Sequence, residues 1–233
     1  MDIKMNIDGL QKITLLDYPG HVACTVFLKG CNFRCPFCYN SSLIEKSQTN
    51  NGILEDDFFD FLKNRKGKLD GVAITGGEPL LQKDIVVFIE KIKQLGFKVK
   101  LDTNGSFPEK LSYLINNNLV DYVAMDIKNT YEKYHMTTCF NELSSIKKSI
   151  NILLTSNIDY EFRTTIVNEL HAVEDFEAIG LMISGAKNYY LQSFQNKDSV
   201  LNKSLSSMTK DNLLKCLKIV QKHIPNAQIR GIE

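Results

Sequence analysis

The chain has 233 residues, of which 43% are hydrophobic and 24% are charged, and its formal net charge is +1. This length and apolar fraction are sufficient for one substantial core, and the small net charge gives no reason to expect a nucleic-acid partner bound through bulk electrostatics. No stretch approaches the ~20 apolar residues that cross a bilayer, and residues 1–6 lack the apolar segment of a signal peptide, so we expect a cytoplasmic protein without a membrane partner.

Apolar runs of strand length alternate with helix-period segments along the chain. Six runs are nearly continuous in apolar residues, or rich in β-branched and aromatic ones, as buried parallel strands are. Residues 6–20 are predicted to form a small hairpin or cap before the first run, and residues 227–232 a last short strand. The six predicted strands are residues 22–28, 71–75, 97–102, 121–127, 160–166 and 188–194.

Apolar side chains at helical spacing predict helices between these strands. The clearest pattern spans residues 85–95 and ends at Gly96, a typical helix stop. Thr209 is a candidate N-cap for the last helix. The remaining predicted helices lie around residues 58–62, 143–153 and 213–220.

A repeating βα order predicts parallel strands joined by right-handed crossovers. Six such units are fewer than the eight of a closed barrel. We therefore predict an α/β fold, a partial (β/α)6 TIM-like barrel with a short N-terminal hairpin or cap. Residues 1–233 are predicted to be one domain, with the cap at residues 1–20 and the partial barrel at residues 21–233.

Three cysteines follow the first predicted strand with C-x3-C-x2-C spacing: Cys31, Cys35 and Cys38. Three close thiolates can bind three irons of a [4Fe-4S] cluster, and no fourth cysteine lies nearby, so one iron would be open to a substrate. A structural zinc site usually has four protein ligands, and three cysteines cannot all pair as disulfides in a cytosolic chain. The spacing alone leaves zinc as an alternative.

Other chemically distinctive residues fall at the predicted C-terminal ends of strands, where parallel α/β folds collect functional groups. After the second strand, Gly76 and Gly77 would let the backbone approach a ligand closely. Asp102 and Asp126 could share a cation or bind ligand hydroxyls. Lys128 and Arg163 could neutralise a carboxylate; salt bridges to the two aspartates are the alternative.

The cysteine motif, with aromatic Phe37 before its last cysteine, resembles the signature of radical S-adenosylmethionine (SAM) enzymes. The segment Gly76-Gly77-Glu78-Pro79 resembles that family's second motif. Tyr39 is a departure, because relatives often carry His at this position. Within the family, the chain resembles the anaerobic ribonucleoside-triphosphate reductase activating proteins over nearly its whole length, at residues 10–20, 30–38, 101–105, 125–128 and 229–231.

The resemblance implies a role for each matching residue. Cys31, Cys35 and Cys38 would bind the cluster and support catalysis, and the amino and carboxylate groups of SAM would chelate the fourth iron. In the similar pyruvate formate-lyase activating enzymes, the positions of Asp102, Thr103, Asp126 and the Ala124 backbone form a monovalent-cation site. The implied cofactor contacts are Phe37, Tyr39, Gly76, Gly77, Glu78, Asp102, Asn104, Lys128, Arg163 and Thr165.

The activity that the resemblance implies is reductive cleavage of SAM at the [4Fe-4S] cluster, followed by abstraction of hydrogen from a glycine of anaerobic ribonucleoside-triphosphate reductase. The product would be a glycyl radical on that partner, and a flavodoxin- or ferredoxin-type protein would donate the electron. One alternative keeps the cofactor and changes the target to another glycyl-radical enzyme or a small molecule. The other is a metal-binding or electron-transfer module without catalysis.

Residues outside these motifs give weaker signals. Cys24 and Cys216 are predicted to be buried core thiols, and Cys139 a surface thiol. His171 follows the fifth strand, where it could line a substrate entrance or lie at the surface. Gln192, late in the sixth strand, could face the site.

Overall fold

The structure is a computed structural model that describes residues 5, 7–44 and 52–231. Within these residues, eight strands form one sheet and follow each other in chain order. The strands are β1 (Ile7–Thr14), β2 (Ala23–Leu28), β3 (Gly71–Gly76), β4 (Lys98–Thr103), β5 (Tyr122–Asp126), β6 (Asp159–Ile166), β7 (Tyr189–Ser193) and β8 (Gln228–Arg230). The helices are α1 (Glu55–Lys63), α2 (Ile85–Gln94), α3 (Pro108–Asn116), α4 (Tyr134–Thr138), α5 (Leu143–Thr155), α6 (Asp175–Met182) and α7 (Lys210–Val220).

The α/β fold class is confirmed. Each of the six predicted strands is present, and β1 and β8 lie at the two ends of the sheet order, so the sheet is not closed. In the described part of the predicted cap, one strand, β1, pairs antiparallel with β2, with irregular register at two points. The predicted ends of the cap and of the last strand, Asn6 and Ile232, lie outside the described residues.

Contacts within the chain divide it into two compact units. The first unit comprises residues 1–32, 42–103 and 107–123, and the second comprises residues 33–41, 104–106 and 124–233. Division by compactness does not show that either unit folds alone, so the single-domain organisation stays a prediction.

The first unit has a parallel core of β2, β3 and β4. The six residues of β2 pair in unbroken register with the six of β3. Nearly continuous burial explains why the sequences of β2 and β3 show no polar alternation, because both faces of these strands are covered. Helices α1 and α2 meet through Phe58 and Phe88, whose ring centroids are 5.3 Å apart. The core therefore fixes where the loops after β2 and β3 begin.

The second unit contains the parallel strands β6, β7 and β8. The short β8 is secured by Arg230, whose two terminal nitrogens each lie 3.0 Å from an oxygen of the buried Glu161 carboxylate. The Arg230 guanidinium also stacks 3.2 Å above the Tyr190 ring. At the start of α7 the predicted N-cap is confirmed, since the Thr209 hydroxyl accepts a hydrogen bond from the Asn212 N–H.

Three helices of the structure, α3, α4 and α6, were not predicted from the pattern. Helix α4 is five residues long, too short to show a period. Helix α6 is apolar on most sides, and α3 buries only Pro108, Leu111 and Leu114. Among the described residues, no helix is long and apolar enough to cross a membrane.

Candidate active site

The start of the cysteine loop is anchored within the first unit. Directly after β2, the Gly30 N–H donates to the Leu43 carbonyl at 2.6 Å, and the Cys31 N–H donates to the Ile44 carbonyl at 3.1 Å. Both bonds are to the backbone, so they set the path of the loop without using a side chain. Cys31 itself is half-buried and not in a disulfide.

The paired glycines after β3 lie against this same stretch of backbone. The Gly77 N–H donates to the Leu28 carbonyl at 2.9 Å, and the Glu78 N–H donates to the Gly30 carbonyl at 2.8 Å. A Cβ at Gly77 would lie 2.1 Å from the Gly30 oxygen, and Gly76 has a φ of +122°. Gly77 has no room for a Cβ, and Gly76 has neither the room nor the backbone geometry for a larger residue.

The Glu78 side chain has a structural role. It is fully buried, and its Oε1 accepts hydrogen bonds from the Leu80 N–H at 3.0 Å and from the Thr103 hydroxyl at 2.9 Å. The second motif is thereby joined to the end of β4.

Asp102 lies beside a second charged residue on β4. The Nζ of Lys100 donates to the Asp102 carboxylate, and the lysine side chain is only 3% exposed. The two residues are separated by one position and so lie on the same face of the strand. Lys100 was not among the predicted site residues, because Lys98 and Asp102 alternate with it along the strand and nothing in the sequence marks Lys100 as the buried lysine.

The rest of the cysteine loop belongs to the second unit. Cys35 is buried, Cys38 is half-buried, and the Cys38 N–H donates to the Cys35 carbonyl at 3.2 Å. Burial raises the pKa of the Cys38 thiol, against the opposing effects of a backbone hydrogen bond at Asn40 and the charge of Lys128. Since metals bind the thiolate, this thiol would release its proton when a metal binds.

Two aromatic residues of this loop have different surroundings. Phe37 is buried, and the Lys128 Nζ lies 5.8 Å from the centroid of its ring. The Tyr39 hydroxyl accepts a hydrogen bond from the Gln195 N–H at 2.7 Å, and its ring stacks on Phe194 at 5.9 Å. Tyr39 therefore joins the cysteine loop to the segment that follows β7.

Asp126, at the end of β5, is held between two cations. The Lys128 Nζ lies 2.9 Å from one carboxylate oxygen, and the Arg163 Nε lies 3.0 Å from the other. Although burial opposes it, the charges of Lys128 and Arg163 lower the pKa of Asp126 to about 2. The pKa of Lys128 is raised, since the charges of Asp126 and Cys35 outweigh its burial. The salt-bridge alternative is thus present in the second unit.

His171 is buried, so the surface position, one of the two alternatives that the sequence left open, is wrong. Its Nδ1 accepts a hydrogen bond from the Val167 N–H at 3.1 Å, so its Nε2 carries the proton and donates to the Lys128 carbonyl at 2.9 Å. Burial lowers its pKa, which keeps the ring neutral. His171 holds the backbone at Lys128 instead of facing solvent.

The remaining predicted residues lie near backbone turns or on β6 and β7. The Asn104 side-chain oxygen accepts from the Ser106 N–H at 3.0 Å and from its hydroxyl at 2.6 Å. Thr165 is half-buried and, two positions after Arg163 on β6, lies on the same face. Gln192 pairs with Thr165 in the register of β6 and β7.

The structure therefore brings the predicted residues together in two sets. The first unit joins the start of the cysteine loop, the glycine segment and Thr103, and the second joins Cys35, Cys38, Phe37, Lys128, Asp126 and Arg163. Sequence reasoning missed Tyr134 of the second set, a fully buried residue at the start of α4. No local pattern marks it, because only its packing brings it near the cysteine loop.

The donor set agrees with an iron–sulfur cluster. Cys31, Cys35 and Cys38 lie on one short stretch of chain and none of them is in a disulfide, and Lys128 supplies positive charge near Cys35. In the described part of the chain, no three His, Cys, Asp or Glu side chains are grouped to hold one metal ion. A [4Fe-4S] cluster does not require three side chains grouped around one ion, since each cysteine binds a separate iron.

Comparison with known proteins finds a family model and a relative that match most of this chain. The family model described as the Radical SAM superfamily matches residues 25–180. A protein of Methanocaldococcus jannaschii, named as a candidate glycyl-radical enzyme activating enzyme, is 36% identical over 99% of this chain and 98% of its own length.

One further relative and one solved structure are similar to parts of this chain. The pyruvate formate-lyase-activating enzyme of Listeria monocytogenes is 28% identical over 56% of this chain and 56% of its own length. The crystal structure of a domain of pyruvate-formate lyase-activating enzyme from Bacteroides vulgatus superposes with a TM-score of 0.57 and 18% identity, covering 69% of this chain and 99% of that domain. At that identity the superposition shows the fold alone.

Proposed function

The chain belongs to the radical SAM superfamily, and from this premise we propose that it is an activating enzyme that generates a glycyl radical on a partner enzyme. The observation that carries the proposal is the 36% identity to a relative named for this activity over nearly the full length of both chains. The cysteine loop and the glycine segment against its start support it, because they are the two motifs that a bound cluster and SAM require.

The chemistry would come from the cofactors, and the protein would hold and shield them. When bound, the [4Fe-4S] cluster and SAM supply a carbon-centred radical that can abstract a hydrogen atom. Cys31, Cys35 and Cys38 would hold three irons as thiolates. The positive charge of Lys128 near Cys35 favours the thiolate there, and buried Phe37 excludes water from the loop.

The glycine segment would bind the amino group of SAM. An amino group donates hydrogen bonds, so the backbone carbonyls of Gly76, Gly77 and Glu78 would be its acceptors. The N–H groups of Gly77 and Glu78 are already bonded to the carbonyls of Leu28, at the end of β2, and of Gly30, just after it, which fixes the orientation of these peptides. A rigid backbone is suited to this role because no side-chain rotamer has to be ordered on binding.

The remaining contacts are proposed from the same resemblance. Lys128 and Arg163 would contact the cofactor while they hold Asp126. Asp102, Thr103 and Asp126 remain candidate ligands of a monovalent cation, although each carboxylate already pairs with at least one side-chain cation. The other proposed cofactor contacts are Tyr39, Asn104 and Thr165.

The target that we propose is anaerobic ribonucleoside-triphosphate reductase, with a flavodoxin- or ferredoxin-type electron donor. The segments that support this choice are residues 10–20, 30–38 and 125–128, which resemble the activating proteins of that reductase. The identity to a pyruvate formate-lyase-activating enzyme makes pyruvate formate-lyase the main competing target.

An anaerobic activation assay tests the proposal. The reconstituted protein is incubated with dithionite, SAM and either the reductase or pyruvate formate-lyase, and glycyl radicals are recorded by electron paramagnetic resonance (EPR). We expect a radical on the reductase with the wild type, none with Cys35→Ala, and the wild-type signal with Cys139→Ala, a control at an exposed cysteine outside the motif.

Other outcomes separate the alternatives. A radical only on pyruvate formate-lyase would change the target and keep the activity class. Formation of 5′-deoxyadenosine without a radical on either partner would indicate another substrate. An intact cluster that never cleaves SAM, even with both partners present, would support the non-catalytic module.

A further inference from the structure

Tyr134 has a buried hydroxyl group that the proposed roles leave unused. The residue is fully buried at the start of α4. Among the described residues, its hydroxyl oxygen is the one buried side-chain polar atom without a hydrogen-bond partner. Buried hydroxyl groups in folded proteins are nearly always bonded, because losing water without a replacement is unfavourable.

The surroundings of Tyr134 place it next to the cysteine loop. Its ring meets the edge of Phe33 with centroids 6.3 Å apart, and the carbonyl of Thr138, in the same helix, accepts from the Arg34 N–H at 2.8 Å. Helix α4 thus packs against and hydrogen-bonds to the two residues that precede Cys35. Burial raises the pKa of the Tyr134 phenol, so the hydroxyl keeps its proton.

We propose that the Tyr134 hydroxyl donates a hydrogen bond to a sulfur atom of the cluster on the side held by Cys35. This inference rests on the proposed function, since it requires a cluster at the cysteine loop. A protonated phenol is a hydrogen-bond donor, and the negatively charged thiolate and sulfide sulfurs of a cluster are hydrogen-bond acceptors. The bond that the hydroxyl lacks in the described chain would then form when the cluster binds.

The consequence is a change in how easily the cluster is reduced. Reduction adds negative charge to the cluster, and a hydrogen bond to its sulfur stabilises that charge. Tyr134 would therefore raise the reduction potential without carrying an electron itself. Lys128, which is also near Cys35, would act in the same direction through its charge.

The first test uses the protein without a cluster. Tyr134→Phe removes only the hydroxyl, and Tyr189→Phe is the matched control, because Tyr189 is equally buried but donates to the Thr164 hydroxyl at 2.7 Å. We expect Tyr134→Phe to leave the thermal midpoint unchanged or to raise it, and Tyr189→Phe to lower it. A drop for Tyr134→Phe equal to that of the control would overturn the inference, because it would show a bond already made within the chain.

The second test uses the reconstituted, reduced protein in D2O. Pulsed EPR of the wild type and of Tyr189→Phe should show a strongly coupled exchangeable deuteron near the cluster that is missing in Tyr134→Phe. At a fixed potential, the ratio of reduced to oxidised cluster should fall about threefold or more in Tyr134→Phe, which corresponds to about 30 mV for one electron.

The failures of the two proposals are distinguishable. A cluster that forms with the same deuteron coupling and the same reduction ratio in Tyr134→Phe overturns the inference and leaves the proposed function intact. A wild-type protein that binds no iron–sulfur cluster overturns both.

Discussion

Lys128 interacts with a carboxylate, an aromatic ring and two thiols of the second unit. It pairs with Asp126 at 2.9 Å, lies over the Phe37 ring and influences the thiols of Cys35 and Cys38. The sequence suggested either a ligand contact or a salt bridge for this lysine, and the second is present. Both uses are compatible, because a lysine fixed by one carboxylate is already oriented when a second anion arrives.

The low pKa of Asp126 predicts an acid-sensitive contribution to stability. Its folded pKa of about 2 lies below the ordinary 3.8, so the contribution is fully present above about pH 4 and is lost as pH falls towards 2. Between pH 5 and pH 3, we expect the wild type to lose about 1 kcal/mol more of its unfolding free energy than Asp126→Asn. Urea denaturation of the protein without a cluster measures this difference.

A control separates this effect from general acid destabilisation. Asp60 forms an exposed ion pair with Lys63, and such pairs contribute little. Asp60→Asn should therefore keep the pH dependence of the wild type within a few tenths of a kcal/mol. Identical pH dependence in Asp126→Asn and the wild type would contradict the assigned role of Asp126.

Some of these residues could be predicted from the sequence, and others could not. The cysteines, the glycines and Lys128 could be found because their types and spacing are unusual. The burial of His171 and the unpartnered hydroxyl of Tyr134 could not, because both depend on which distant backbone groups surround them. A lone histidine or tyrosine carries no local signal of its partners.

At the scale of elements, the loops after β2 and β3 form one packed structure. Gly77 lies so close to the Gly30 carbonyl that a methyl group would overlap it. We expect Gly77→Ala to lower the unfolding free energy by about 1–3 kcal/mol, as overpacked sites do, and to weaken cluster binding by displacing the start of the cysteine loop. Urea denaturation and the iron content after reconstitution measure the two effects.

Gly9→Ala is the matched control for this substitution. An added Cβ at Gly9 would lie 3.7 Å from Phe27, an ordinary contact distance, and Gly9 does not have a positive φ. Its stability should stay within about 1 kcal/mol of the wild type. Equal stability and iron content for Gly77→Ala and the wild type would show that the two loops are not tightly packed.

The segment after β7 is the second element attached to the cysteine loop. Besides the bond to Tyr39, the Asn202 N–H donates to the Pro36 carbonyl at 3.0 Å. In Tyr39→Phe, the Gln195 N–H loses its acceptor, so we expect its hydrogen exchange to accelerate about fivefold, the equivalent of one net hydrogen bond. Exchange measured by NMR gives the rate at this amide.

An exposed tyrosine provides the comparison. Tyr113 lies on the surface of α3, and Tyr113→Phe should leave the exchange at Gln195 unchanged. If Tyr39→Phe also leaves it unchanged, the tyrosine does not hold the segment, and its difference from the histidine of relatives has another reason.

Helices and strands were predicted to different extents for physical reasons. Strands β2 to β7 could be identified because their sequences are either nearly continuous in apolar residues, as in β2 and β3, or rich in β-branched and aromatic residues, as in β6. Helices α2, α5 and α7 could be identified because one face repeats at helical spacing. Helix α6 lacks such a contrast, and α4 is too short to show one. The cap was predicted as a hairpin or cap, but the partner of β1 could not be predicted, because β1 pairs with β2 outside the cap.

At the scale of the whole molecule, function follows from family membership more than from any single contact. The fold is shared with radical SAM enzymes, and a fold alone does not determine a substrate. The choice of a glycyl-radical enzyme rests on identity along the full chain. The choice of the reductase rests on a few short segments, so it is the claim that most needs an experiment.

The most direct measurement follows one hydrogen atom. Anaerobic ribonucleoside-triphosphate reductase is prepared with deuterated glycine and incubated anaerobically with the reconstituted protein, dithionite and SAM. The 5′-deoxyadenosine formed is then analysed by mass spectrometry. We predict one deuterium in the product together with a glycyl radical on the reductase. Unlabelled 5′-deoxyadenosine, with no radical on the reductase, would contradict the proposal that its glycine is the substrate.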